Sequence, residues 1–115
     1  MKSTASGAQA EQLAAEFLAA HGLEIVKRNH RCRMGEVDLI LLDRGTLVFA
    51  EVRLRSRTDF GGAAGSITAG KQSRIVTAAR HYLAGKPDRP CRFDVVLLDR
   101  LAPDAIEWIQ DAFSA

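Results

Sequence analysis

Apolar residues recur at Ala10, Leu13, Ala14, Phe17 and Leu18, the spacing that lines one face of a helix. This predicts a helix over Ala8–His21, closed by Gly22. Glu24–Asn29 reads as a short strand. The period then shortens. Gly35–Asp43 and Thr46–Arg55 are β-branched and apolar with partial alternation, as strands are. Only Arg44-Gly45 lies between them, which predicts a hairpin. Ser56–Gly65 is glycine-rich and polar and reads as a loop. Helical spacing returns over Ile67–Ala84, with Ile75, Ala78, Ala79, Tyr82 and Leu83 as the stripe to be buried. Gly85–Pro90 holds two prolines and is a connection. Phe93–Leu98 is a nearly continuous apolar strand, which suits a sheet covered on both faces. Ile106–Ile109 adds a further edge strand. The order is α-β-β-β-α-β-(β), an α/β fold with a mixed sheet flanked by helices.

Composition narrows the class. The chain has 115 residues, 47% hydrophobic and 26% charged, as expected of one compact domain spanning 1–115. The longest apolar runs have four residues, against roughly 20 for a membrane span. The first residues lack the apolar stretch of a secretory signal. Cys32 and Cys91 are far apart and form no metal-binding pair, so both are expected as reduced thiols in a cytoplasmic protein. The net charge of +2 conceals an uneven distribution: residues 1–26 carry −2, 27–50 carry +2, 51–92 carry +6 and 93–115 carry −4. Arginine outnumbers lysine twelve to four, and planar guanidinium groups suit bidentate contacts with phosphate. A nucleic-acid backbone is a natural partner for such a middle region; a set of solvated arginines is the plainer alternative.

The hairpin register carries the chemistry. With a two-residue loop, Leu39 faces Ala50, Asp38 falls opposite Glu51, and Glu36 opposite Arg53. Alternation then sends Glu36, Asp38, Glu51 and Arg53 to one side. Opposed carboxylates about 5 Å apart repel, and one is pushed towards protonation. A divalent cation between them reverses the sign of the interaction, and oxygen ligands favour Mg²⁺ or Mn²⁺. A three-residue loop would instead separate Asp38 and Glu51 onto opposite faces. The other alternative is a solvated sheet face on which these acids pair with arginines.

Gly35-Glu36-Val37-Asp38-Leu39-Ile40, followed by Val48-Phe49-Ala50-Glu51-Val52-Arg53-Leu54-Arg55, resembles the hairpin motif of the YraN-like family of small bacterial proteins. Gly7 and Glu11 in the first helix, Asn29, Phe60-Gly61-Gly62, Lys71-Gln72 and Arg92-Phe93-Asp94-Val95-Val96 fit the same family. The resemblance runs from about residue 7 to the Trp108 region. That family is similar to the PD-(D/E)xK nucleases, close to Holliday-junction resolvases, and implies a restriction-endonuclease-like sheet.

The resemblance further implies metal-dependent, structure-selective cleavage of DNA, with branched or damaged DNA as substrate. Asp38 and Glu51 match the metal-binding acids and Glu11 the helix glutamate that approaches the metal, with Glu16 ranked behind it. Arg53 occupies the place of the usual lysine. An arginine cannot accept a proton at physiological pH, so its implied role is to clamp the transition state, or it marks weakened catalysis. Lys71 and Gln72, at the start of the second helix, suit phosphate. Arg28, Arg31, Arg33, Arg55 and Arg57 are candidate backbone contacts. Resolvases of this kind work as symmetric dimers, so a homodimer is implied. A nucleic-acid-binding module with a degenerate site is the alternative.

Overall fold

The computed structural model describes residues 5–55 and 67–115. The loop expected at Ser56–Gly65, with Arg57, lies outside them. Helix α1 spans Ala5–Ala20, followed by β1 (Glu24–Cys32), β2 (Gly35–Asp43) and β3 (Thr46–Leu54). Helix α2 (Ala69–Leu83) precedes β4 (Cys91–Leu98), and a single 3₁₀ turn at Pro103–Ala105 leads into β5 (Ile106–Phe113). The five strands form one sheet in the order β1-β2-β3-β4-β5. β3 and β4 are parallel and the other neighbours antiparallel. A parallel pair needs a long crossover, and α2 lies in it.

Each helix covers one face. Ala10, Ala14, Ala15 and Leu18 of α1 pack on Leu39, Leu41, Val48, Ala50, Val96 and Leu98. Three of these four helix residues are alanine, which lets α1 lie close to the sheet. On the other face, Ile75, Ala78 and Ala79 of α2 pack on Val37, Ile40, Leu47, Phe49 and Phe93. β4 is sandwiched between these layers and is buried along Phe93–Leu98, which is why its sequence is almost unbroken apolar. Burying each large apolar side chain of this kind contributes about 1.5–3 kcal/mol.

Two ends are set by local chemistry. Gly22 closes α1 with φ +92, a backbone state that side chains disfavour. Thr68 caps α2: its hydroxyl accepts a hydrogen bond from Lys71 N–H at 3.2 Å. The Arg44-Gly45 turn has φ 50 and 91, both left-handed, as a type I′ hairpin turn requires. Arginine there is unusual, but it leaves the loop at two residues. The register is the expected one, with Asp43 paired to Thr46 and Leu39 to Ala50.

β1 is longer than its sequence indicates, reaching Cys32 rather than Asn29. β5 likewise extends to Phe113. Its bulge at Asp111, with φ 53, is held by Asp94, whose carboxylate accepts the Asp111 N–H at 2.9 Å. Asp94 is fully buried and also accepts from the Trp108 indole at 2.9 Å and from Arg92 at 3.0 Å. Arg92 in turn reaches Asp43 at 2.9 Å, tying β2, β4 and β5 together. Among the described residues, no helix is long and apolar enough to cross a membrane.

Candidate active site

The β2–β3 pairing stops at Leu39–Ala50. Beyond it, among the described residues, β3 continues with β4 alone, through the pairs Glu51–Val95 to Leu54–Leu98. The expected backbone pairing of Asp38 with Glu51 therefore does not form. Instead the Asp38 carboxylate accepts the Val52 N–H at 2.8 Å, taking the place of a strand partner. Alternation breaks here as well. Val37 packs towards α2 whereas Leu39 packs towards α1, although residues two apart share a face in a regular strand. On β1, Asn29 lies between the Arg28–Leu39 and His30–Val37 pairs and is left-handed, with φ 51. The strands thus kink and part at Asp38.

The parting opens a cleft of about 500 Å³. Glu36, Asp38, Glu51 and Arg53 all line it, joined by Glu11 from α1 and by Lys71 and Arg74 from α2. The one-sided grouping expected of the hairpin acids is present, although a kink rather than continued pairing produces it. A parted strand pair beside the C-terminal end of a strand is where ligands enter open α/β sheets.

The electrostatics are unusual. Asp38 is 7% exposed. Burial, reinforced by the charge of Glu51, pushes its carboxyl up from 3.8 to about 8, against the opposing pull of the Val52 N–H. Burial also raises Glu51, while its hydrogen bond with Asp38 and the charge of Lys71 hold it down. The two carboxyls therefore interact directly and titrate as a pair, both raised by burial. Near neutral pH the pair carries about one negative charge rather than two. Nothing in folding rewards this arrangement. Arg53 is half-buried, and its Nε is buried with no hydrogen-bond partner among the described residues.

The donor set fits a small, hard cation. It is made of oxygen alone, and Mg²⁺ commonly uses one or two carboxylates, with water and phosphate completing its shell. Among the described residues, no group of three or more His, Cys, Asp or Glu side chains is placed to enclose an ion. Asp38 and Glu51 are thus the pair that could hold one, with Glu11 on the cleft wall. Glu16 faces solvent and accepts from Gln12 at 2.8 Å.

The remaining residues divide. Lys71 lines the cleft. Its neighbour Gln72 directs its amide to the Ile67 carbonyl at 3.1 Å and so braces the approach to α2. Arg31 and Arg33 stand exposed beside a second depression. Arg28 donates to Gln12 at 2.9 Å across β1 and α1. Arg55 turns away to Asp99 at 2.7 Å and Glu107 at 3.4 Å. Arg74 was not among the expected residues. Its position three beyond Lys71 on one helix is the signal that points to it.

The family model described as "Uncharacterised protein family UPF0102" matches residues 10–98, a span that includes every described residue of the cleft except Gly7. A UPF0102 protein of Dechloromonas aromatica is 60% identical over 112 residues, covering 97% of this chain and 91% of the relative. One from Nitrosomonas europaea is 56% identical over 108 residues, covering 93% and 92%. One from Cupriavidus taiwanensis is 58% identical over 113 residues, covering 96% and 84%. With matches of this identity and extent, the YraN-like assignment is consistent and the chain belongs to the uncharacterised protein family UPF0102.

Proposed function

We propose that this protein is a metal-dependent phosphodiester hydrolase acting on DNA, selective for branched or distorted structures. The observation that carries this reading is buried Asp38 beside half-buried Glu51 in a cleft also lined by Arg53, Lys71 and Arg74. Two acids forced together cost stability unless a cation joins them. Cations around such a pair suit a polyanion.

In this reading Asp38 and Glu51 hold Mg²⁺ or Mn²⁺, with Glu11 beside them. When bound, the ion supplies an activated water and stabilises charge on the phosphate. The chain does the rest. Val52 N–H fixes the Asp38 carboxylate. Lys71 draws the phosphate towards the acids. Arg53, which lines the same cleft, donates hydrogen bonds to the phosphoryl oxygens as charge develops. Arg53 does not remove a proton from water, because its guanidinium stays charged.

The test is a panel of junction, flap, single-stranded and duplex DNA, incubated with Mg²⁺ or Mn²⁺ and with EDTA. Cutting should require the ion. It should fall at least about a hundredfold in Asp38→Asn and Glu51→Gln, with DNA affinity close to wild type. Wild-type protein that binds the panel and cuts none of it would refute the hydrolase. That result favours the second reading, a nucleic-acid-binding module, for which the arginine at position 53 is the supporting observation.

A further inference from the structure

A second depression of about 340 Å³ adjoins the cleft and shares Glu36 and Arg74 with it. Its rim is the turn between β1 and β2. Cys32 pairs with Gly35, so two residues, Arg33 and Met34, make the connection. The turn is pressed onto α2. A Cβ on Gly35 would collide with the Arg74 carbonyl oxygen and sit 3.0 Å from the Ala78 nitrogen. The tip is thus held at a set height above the helix.

What the tip presents is unusual. Met34 is 67% exposed, more than any other large hydrophobic residue among those described. Exposed cations surround it: Arg33 beside it in the turn, and Arg31 and Arg74 along the depression. Arg31 is 3.8 Å from Glu36, and its side chain remains 46% exposed. At the same strand ends, the other lateral side of the sheet, from β3 outwards to β5, differs. There Arg55 is paired with Asp99 and Glu107, and Arg100 with Asp104 at 2.8 Å. Residues 93–115 carry a net charge of −4. A polyanion is therefore attracted to the β1–β2 side and repelled from the β4–β5 side.

We propose that the Arg33-Met34 turn is a wedge by which the protein recognises interrupted base stacking, an inference that rests on the cleft being a DNA site. Arg33 and Arg74 hold backbone phosphates of the strand running on from the acid pair. Met34 lies against the face of a base that has lost its stacking neighbour. In an intact duplex an apolar tip can insert only by first unstacking a base step, which opposes binding. At a branch, bulge or gap a face is already open, so the tip meets it without that cost. Phosphate contacts then supply affinity and Met34 supplies preference.

The experiment measures binding in EDTA, so that cutting plays no part. Fluorescence anisotropy compares an intact duplex with the same duplex carrying a bulged base, over a range of salt. Wild type should favour the bulge by about fivefold or more. Met34→Ala should bind the intact duplex as wild type does and lose that preference. Arg33→Ala and Arg74→Ala should weaken binding to both by about fivefold and lower the salt slope by about one. Arg100→Ala, the same charge change on the acidic β4–β5 side, should have no effect. Equal binding of both DNAs by wild type, a preference retained in Met34→Ala, or equal losses in Arg100→Ala and Arg33→Ala would each overturn the wedge. The two proposals fail separately. A protein that cuts but is indifferent to these changes keeps the hydrolase and loses the wedge. One that binds as described and never cuts keeps the wedge and loses the hydrolase.

Discussion

Replacing Asp38 by asparagine should stabilise the folded protein above mildly acidic pH. Asp38 titrates at 3.8 in an unhindered chain and at about 8 in the fold. Between those values the folded protein keeps a proton that the unfolded chain has released. Raising the pH across this window therefore lowers stability, with a limiting slope of about 1.4 kcal/mol per pH unit. Asparagine has no proton to lose. Its carbonyl can still accept the Val52 N–H that Asp38 accepts at 2.8 Å, and its amide can donate to Glu51. The cleft is open to water, which screens the charge, so the expected gain at pH 8 is about 1–3 kcal/mol rather than the full integral of the slope. That corresponds to a melting temperature higher by about 4 °C per kcal/mol.

The assay is thermal and urea unfolding of both proteins in EDTA from pH 4 to 9. The curves should converge near pH 4 and separate as pH rises. Added Mg²⁺ should narrow the gap at pH 8 by stabilising wild type alone, in proportion to the logarithm of its concentration above Kd. Parallel pH profiles, or an asparagine variant that is less stable at pH 8, would refute the claim that the two acids are held together at a cost. Equal stabilisation of both proteins by Mg²⁺ would remove Asp38 from the ion's ligands.

Further outcomes follow from packing and charge elsewhere. Gly35→Ala should lower stability by about 3 kcal/mol in urea unfolding, because the added methyl meets helix backbone that cannot yield locally; a loss below about 0.5 kcal/mol would contradict that contact. Asp94→Ala should cost about 3–5 kcal/mol, since it strips partners from Arg92, the Trp108 indole and the Asp111 N–H together. Tryptophan fluorescence should report Trp108 loosening even where the variant stays folded. His30 is buried, 3.0 Å from His81, and burial with the nearby charges of Lys27, His81 and Lys86 depresses its pKa from 6.5. The unfolded chain then binds the proton more readily, so stability should fall as pH drops below about 6.5. His30→Gln should flatten that acid limb, and an unchanged limb would assign it to another group.

How much of this was legible beforehand differs from residue to residue. The hairpin register was, because Arg44-Gly45 leaves room for only a short turn, and the observed left-handed φ values show arginine accepting it. The gathering of Asp38, Glu51 and Arg53 was expected from that register, although a kink at Asp38 rather than continued pairing produces it. The parting of the strands was not, because it depends on the Asp38 carboxylate capturing the Val52 N–H. The pairing of Arg55 with Asp99 and Glu107 was hidden for a different reason. Those partners lie 44 and 52 positions away, and a run of arginines looks the same whether or not distant acids neutralise it. Arg74 escaped notice because its importance comes from the turn pressed against it.

Local periodicity and turn chemistry were thus enough to specify the order of the elements and the stripe of each helix that is buried, although not the full extent of β1 and β5. Those properties depend on near neighbours, and burial of apolar faces admits few alternatives. The kink at Asp38, the proton shared with Glu51 and the separation of a cationic side from an acidic one arise only in three dimensions. Each depends on distances between distant segments and on how deeply side chains such as Asp38 are buried, and neither quantity is encoded at any single position along the chain.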